Sequence, residues 1–259
     1  MDFLDGNART VALEVLAQEE RERRHLVVAL SGAHAYGFPS PDSDLDLKGI
    51  HIAPTRALLA LDPAGDTANR LEVIDGVEID YTSNELRPVL VGLLAGNGNY
   101  LERVIGALVA LAAPELAELR ALVPGCLSRR YHRHYRGFAG SQRRELDAAE
   151  QPTAKKLLYV LRTALTGAHL LLTGELRVDL TTVADRYGYS DALSLIEAKK
   201  QGERVVLDDA TRRAWQPRLD ALFTLLDQAC EESVLPEAPA GAAALNTWLL
   251  DIRGRHFVT

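Results

Sequence analysis

Apolar and polar positions in the first half of the chain switch between two periods. Over residues 8–23, Val11, Ala12, Val15 and Leu16 recur at helical spacing and give an amphipathic helix, with Leu13 off the stripe and a charged end over 19–24. Residues 25–31 follow as a short apolar run that reads as a core strand, and 44–52 as a second strand. The runs 71–74 and 77–81 flank Asp75-Gly76, a strong hairpin signal. Ser83 or Asn84 is expected to cap a helix reaching Leu94, followed by helices around 100–102 and 114–122. Beyond Pro124-Gly125 strand patterns give way to helical ones: 126–144, 153–173, 191–200, 210–232 and a short piece over 246–250. Pro217 is expected to kink the 210–232 helix or mark its first turn. The pattern predicts an α+β chain with a strand-bearing domain over 1–123 and an all-helical domain over 124–259.

The chemistry concentrates in residues 30–52, LSGAHAYGFPSPDSDLDLKGIHI. Asp44 and Asp46 are two apart on a predicted strand, so both side chains face the same way. Carboxylates so placed repel unless a cation lies between them. Hard ions such as Mg²⁺ take one or two carboxylates plus substrate phosphates. Gly32, in the Ser31-Gly32-Ala33 turn, allows close backbone approach, and amides at such a turn suit phosphate. Asp42, Ser43 and Asp44 are also ordinary turn residues. Asp46, between Leu45 and Leu47, is not explained that way, because Asp is depleted in strands. In the second hairpin strand, Glu78 and Asp80 share a face opposite Val77, Ile79 and Tyr81. If that strand lies beside 44–52, Asp80 completes a carboxylate triad, with Glu78 as the alternative and a solvated hairpin face as the bland reading. His51, between Ile50 and Ile52, reads as a polar strand partner, and His169 as a packing residue.

Composition narrows the classes. The 259 residues carry a net charge of −7, which excludes a broad basic field for nucleic acid but leaves room for a local groove. Cys126 and Cys230 are far apart and form no C-x-x-C, as in a reduced cytoplasmic protein. Asp2 and Asp5 come early, no apolar signal region follows, and no run is long enough to span a membrane. The expectation is a cytoplasmic protein.

Gly32 followed by Ser43-Asp44-x-Asp46-x-Lys48-Gly49 resembles the signature of the polymerase-β-type nucleotidyltransferases. The longer string SGAHAYGFPSPDSDLDLKGI resembles their predicted-nucleotidyltransferase branch, which includes RNA-ligase-associated members. Ser31, Gly32, Tyr36, Gly37, Ser43, Asp44, Asp46 and Gly49 keep the branch pattern. Ala33 departs from a family serine that meets the nucleotide phosphates, and Lys48 replaces an arginine. The resemblance implies a small mixed nucleotidyltransferase sheet flanked by helices. It implies Mg²⁺ or Mn²⁺ at Asp44, Asp46 and Asp80, the last carried over because Ile79-Asp80-Tyr81 matches the pattern of an Asp flanked by apolar residues. NTP is the implied donor, with Ser31, Gly32, Ser43 and Lys48 as nucleotide-binding residues. GNGNYLERV resembles the family's glycine-asparagine turn, a structural feature.

In the helical half, Lys155, Tyr159 and Arg162 share a face, and the resemblance implies that Lys155 (or Lys156) and Arg162 neutralise the triphosphate. Snorkelling cations on a packed helix are the alternative. Lys199-Lys200 is a further phosphate candidate or an ordinary cationic helix end. Tyr131, Tyr135 and Phe138 form a helical stripe that reads as core. Arg129, Arg130, Arg133 and Arg136 lie off it, either as a contact for RNA or DNA or as a plain charged surface. The function expected is a metal-dependent nucleotidyltransferase acting on an acceptor hydroxyl, with a nucleic-acid end in repair as the candidate acceptor. The alternatives are a catalytically weak nucleotide-binding module, motivated by Ala33, and transfer to a small molecule or protein.

Overall fold

A computed structural model describes residues 1, 3, 4, 6–202 and 205–257, so Asp2 and Asp5 lie outside the described residues. The chain divides into two compact units, and both are discontinuous. The first comprises Met1–Gly32, Asp44–Cys126 and Pro239–Thr259; the second comprises Ala33–Ser43 and Leu127–Ala238. The division expected at 123/124 lies close to the crossing at Cys126–Leu127. No signal in the sequence shows that 33–43 leaves the first unit; Trp248 points to the C-terminal segment packing back on one domain without saying which, and it joins the first unit.

The first unit begins with helix α1 (Gly6–Glu22) and strand β1 (Arg24–Leu30), whose side chains are buried from His25 onward. A single turn, α2 (Gly32–Ala35), starts at Gly32. Then come β2 (Leu45–Ile52), the short α3 (Thr55–Leu58), β3 (Thr67–Ile74) and β4 (Val77–Glu85). Helices α4 (Leu86–Ala95) and α5 (Gly98–Ile105), strand β5 (Val109–Ala112) and α6 (Glu115–Cys126) follow. The sheet order is β3-β4-β2-β1-β5. It is mixed: β2 runs antiparallel to β1 and parallel to β4. Asp75 at φ 48° and Gly76 at φ 80° make the hairpin turn that the dipeptide predicts, since both central positions need positive φ.

Val11, Ala12, Val15 and Leu16 of α1 pack on Val28, Leu30, Leu45, Leu47, Ile79 and Tyr81, so one sheet face is the core of this unit. The other face is left for Asp46, Lys48 and Asp80, because strand neighbours alternate.

Several elements of this unit differ from the sequence expectation. Strand β4 continues through Ser83 and Asn84, and Glu85 is the cap of α4, its carboxylate accepting from the Arg87 amide at 2.7 Å. Strand β5 is a four-residue edge piece, too short for its apolar run to announce it. The last helix, α12 in chain order, spans Ala242–Arg255 rather than 246–250, and Trp248 donates to Glu118 Oε2 of α6 at 2.8 Å.

The second unit contains α7 (Tyr131–Asp147), α8 (Ala154–Thr173), α9 (Leu180–Val183), α10 (Ala192–Lys199) and α11 (Asp209–Glu231). Helix α8 is buried nearly all round and serves as its axis. Helix α11 runs through Pro217, which is neither its first turn nor its end; Asp208 caps it through the Thr211 amide at 2.7 Å. Tyr131 and Tyr135 are core, as their spacing predicts, whereas Phe138 is 41% exposed. No helix among the described residues is long and apolar enough to cross a membrane.

Candidate active site

Strand β2 delivers Asp46 and Lys48 to the open sheet face, and β4 delivers Asp80 and Thr82 beside them. In the parallel ladder Asp46 stands opposite Asp80, and Lys48 opposite Thr82. The adjacency on which Asp80 depended is therefore present, and it is Asp80 rather than Glu78 that faces Asp46. Asp44 comes just before β2, half-buried.

The backbone holds this arrangement tightly. The Ser31 amide donates to the Asp46 carbonyl at 2.8 Å, fixing the end of β1 against β2. Gly32 sits at φ +61°, and a Cβ there would overlap the Asp46 carboxylate. Farther along, Arg103 donates to the Gly49 carbonyl at 3.1 Å and to Asn84 Oδ1, bracing β2 against β4. At the strand ends Arg253 of α12 donates to the buried Glu85 at 2.6 Å. Nothing in the local pattern pointed to Arg253, since its partner is distant in sequence.

The electrostatics are unbalanced. Burial pushes the Asp46 carboxyl up to about 6; Lys48 opposes this, and the charges of Asp44 and Asp80 add to it. Lys48 Nζ lies 2.7 Å from Asp80 Oδ1 and 3.4 Å from Asp46 Oδ1. It also donates to the Asp80 carbonyl at 3.1 Å. Asp44 Oδ1 is buried without a hydrogen-bond partner among the described residues. An orphaned carboxylate oxygen beside a carboxyl whose ionisation is costly fits a site for a hard cation. As the side chains stand, no three Asp, Glu, His or Cys residues among those described converge closely enough to hold a metal ion.

The other sequence-predicted residues belong to the second unit and are described there. Tyr36 and Phe38 of the 33–43 segment pack against Tyr159 of α8. Arg162 is 1% exposed, with its guanidinium 3.4 Å from the Tyr36 ring centroid. Lys155 Nζ is 6.0 Å from the Tyr159 ring centroid. Ser43 and Ser40 accept from the buried Lys199 at 2.8 and 2.9 Å. Sequence reading gives Lys199 as a further phosphate candidate or a cationic helix end; in the structure it anchors the segment that leads into Asp44. The Leu180 amide donates to the Tyr36 carbonyl at 3.0 Å, a second anchor.

The arginines of α7 and the residues before it divide by role. Arg129 donates to the carbonyls of Leu235 and Ser233 at 3.2 and 3.3 Å. Arg136 pairs with Asp227 at 2.9 Å and lies over Phe223. Arg130 and Arg133 are exposed.

A cavity of about 710 Å³ in the first unit lies away from the carboxylates. It is lined by Arg24, His25, Ile52, Pro54 and His256, at the start of β1 and the end of β2, whereas Asp46 is at the start of β2.

Comparison with known proteins identifies the family. A relative from Methanocaldococcus jannaschii, described as uncharacterized, is 26% identical over 224 residues, covering 85% of this chain and 90% of its own. The crystal structure of a nucleotidyltransferase-like protein from Exiguobacterium sibiricum aligns over 96% of this chain and 80% of its own, at 10% identity and a TM-score of 0.35. Residues 8–251 match the family described as RNA repair pathway DNA polymerase beta family, RlaP. That match spans the glycine turn, the Asp44-x-Asp46 strand and the Asp80 strand, and the chain belongs to this family of polymerase-β-type nucleotidyltransferases.

Proposed function

We propose that this chain is a metal-dependent nucleotidyltransferase that moves a nucleoside monophosphate from an NTP to an acceptor hydroxyl at a nucleic-acid end. The reading is carried by one observation: Asp46 and Asp80 face each other on adjoining strands, with the orphaned Asp44 carboxylate and the Gly32 turn beside them. Asp44 and Asp46 would hold one Mg²⁺ or Mn²⁺ ion, and together with Asp80 they would hold a second. Bound there, such ions offset the charge of the triphosphate and of the attacking and leaving oxygens.

The chain's own residues do the rest. Asp80, whose side chain is 43% exposed, is open to an incoming hydroxyl and takes its proton. The acceptor oxygen then bonds to the α-phosphorus, the bond from that phosphorus to the bridging oxygen breaks, and pyrophosphate leaves with the electron pair. The Ser31 amide is committed to the Asp46 carbonyl and the Asp46 carboxylate fills the space beside Gly32, so this turn seats Asp46, and Ser31 and Gly32 are its nucleotide-binding candidates in this reading. Lys48 belongs to the nucleotide-binding set in this reading, and the resemblance implies Ser43, Lys155 and Arg162 as further nucleotide-binding candidates. Arg162 acts from beneath Tyr36, holding the 33–43 segment in shape.

The test is incubation with labelled NTPs, Mg²⁺ or Mn²⁺, and RNA or DNA ends. Transfer that disappears in the Asp44→Ala/Asp46→Ala double variant supports the reading; transfer that persists in it refutes the assignment. Ala33 is fully buried where the family pattern has a phosphate-contacting serine, which favours a second reading, a nucleotide-binding module with little turnover. NTP binding without transfer to any acceptor, the chain itself included, would select it. Acceptor class separates by salt: polynucleotide binding weakens steeply as salt rises, and binding of a small acceptor does not.

A further inference from the structure

We infer that Lys48 is a tethered counter-cation that fills the Asp46–Asp80 pair until a divalent ion displaces it, making metal entry a competition that the arriving nucleotide helps to win. This rests on the nucleotidyltransferase reading of that pair.

The geometry is specific. An ammonium has three protons and no acceptor. Lys48 Nζ finds three acceptors on just two residues: Asp80 Oδ1 at 2.7 Å, the Asp80 carbonyl at 3.1 Å and Asp46 Oδ1 at 3.4 Å. Its side chain is only 16% exposed, so these contacts occupy the head group rather than decorate a surface lysine. The strand enforces this, because a residue two beyond Asp46 must point to the same face.

The filling is incomplete. One positive charge faces Asp44, Asp46 and Asp80, and Asp44 Oδ1 remains buried without a partner among the described residues. A divalent ion carries twice the charge and takes six or more oxygen ligands, so it has use for that orphan oxygen. It cannot share the Asp46 and Asp80 oxygens with the ammonium, since the two cations would repel at contact distance. Lys48 therefore has to leave. Its flexible four-carbon stem lets the charge swing toward another anion, and the triphosphate is an anion that arrives with the metal. Metal alone must displace Lys48 without compensation; metal with nucleotide supplies the ammonium with a new partner. Such coupling is reciprocal, so the nucleotide should also bind better with the metal present.

The experiment is Mn²⁺ binding to the full chain, read by the free-ion paramagnetic resonance signal, without nucleotide and again with ATP. Four proteins are compared: wild type, Lys48→Met, Arg70→Met and Asp46→Asn. Arg70→Met removes the same formal charge from the neighbouring strand, where Arg70 pairs with Glu19 and not with the Asp46–Asp80 pair. Lys48→Met should bind nucleotide-free Mn²⁺ about tenfold or more tightly than wild type, and Arg70→Met within about twofold. Asp46→Asn should lose the site, and ATP should improve Mn²⁺ binding more in wild type than in Lys48→Met. Equal Mn²⁺ affinity in wild type and Lys48→Met, both dependent on Asp46, overturns the inference and leaves the metal site standing. No Mn²⁺ bound by any protein, with or without ATP, overturns the metal reading itself. Should Lys48→Met fail to fold by circular dichroism, wild type alone decides. Acylation of Lys48 by an amine-reactive ester, followed by mass spectrometry, should accelerate on adding Mn²⁺ while the exposed Lys200 stays constant. Unchanged Lys48 labelling with Mn²⁺ bound overturns the inference.

Discussion

The carboxylate of Asp46 occupies the space in which a side chain at position 32 would begin, and Gly32 meets it with a left-handed backbone. The glycine of the motif is thus a steric requirement of the aspartate as much as an opening for phosphate. A Cβ there would require the Asp46 side chain to move from its present position, in a turn that the Ser31 amide ties to the Asp46 carbonyl.

Gly32→Ala should therefore lower stability by about 2–4 kcal/mol, combining the positive-φ cost with overpacking against a held carboxylate. Urea denaturation measures it. A loss below about 0.5 kcal/mol, as for an ordinary surface change, would mean that the turn is free to relax.

Asp46→Asn should stabilise the metal-free protein at neutral pH while removing Mn²⁺ binding. The sign follows from the raised pKa. Between the ordinary value of 3.8 and the folded value of about 6, the native state binds the proton more tightly, so wild-type stability falls as pH rises through that window. The cost is fully present above it. The shift corresponds to about 3 kcal/mol at most, and structural relaxation should leave roughly 1–2 kcal/mol. Thermal melts of both proteins at pH 7.5 and pH 5 should show the gap closing at the lower pH; a gap independent of pH would contradict the assignment.

The histidines act the other way in an overlapping window. His25 and His51 are both held down to about 4, with burial as the leading cause. His25 Nε2 lies 2.7 Å from the Tyr81 hydroxyl, and His51 Nδ1 lies 2.9 Å from Ser83 Oγ. The unfolded chain binds these protons from about pH 6.5 downward and the folded chain does not, so stability is lost as pH falls toward 4. Each site is worth about 3 kcal/mol at most. His51→Asn should flatten the pH dependence of unfolding between pH 6.5 and 4, and an unchanged slope would show that His51 protonates freely in the native state.

Arginine substitutions should separate by role. Arg130→Gln/Arg133→Gln should weaken RNA binding about equally across sequences and reduce the salt slope by roughly 2, and Arg133→Gln alone should leave the melting temperature unchanged. Arg129→Gln and Arg136→Gln should instead destabilise by about 1 kcal/mol each, since they remove hydrogen bonds to the Leu235 and Ser233 carbonyls and to Asp227. Anisotropy titrations at several salt concentrations, alongside melts, distinguish the two. Equal effects from both pairs would mean that the cluster is one continuous surface.

Much of the first unit is written locally. Strand alternation alone puts Asp46 and Lys48 on one face and Leu45 and Leu47 on the other, and the α1 stripe matches that apolar face. The Asp75-Gly76 turn needs positive φ at both residues, so the hairpin and the internal register of β3 with β4 were legible. The short motif from Gly32 to Gly49 was enough to recognise the family.

Distance along the chain hid the remainder. That β4 lies parallel to β2, with Asp80 beside Asp46, is decided by how two strands far apart in sequence share one core face. The destination of the Lys48 ammonium could follow only from that neighbour. The anchoring of Ser40 and Ser43 by Lys199, the Arg253–Glu85 pair and the return of α12 to the first unit likewise join residues more than a hundred positions apart. Local periodicity reports which way a side chain points along its own element. It holds no record of what the packed chain brings to meet it, and that meeting is what puts Asp46 and Lys48 beside Asp80.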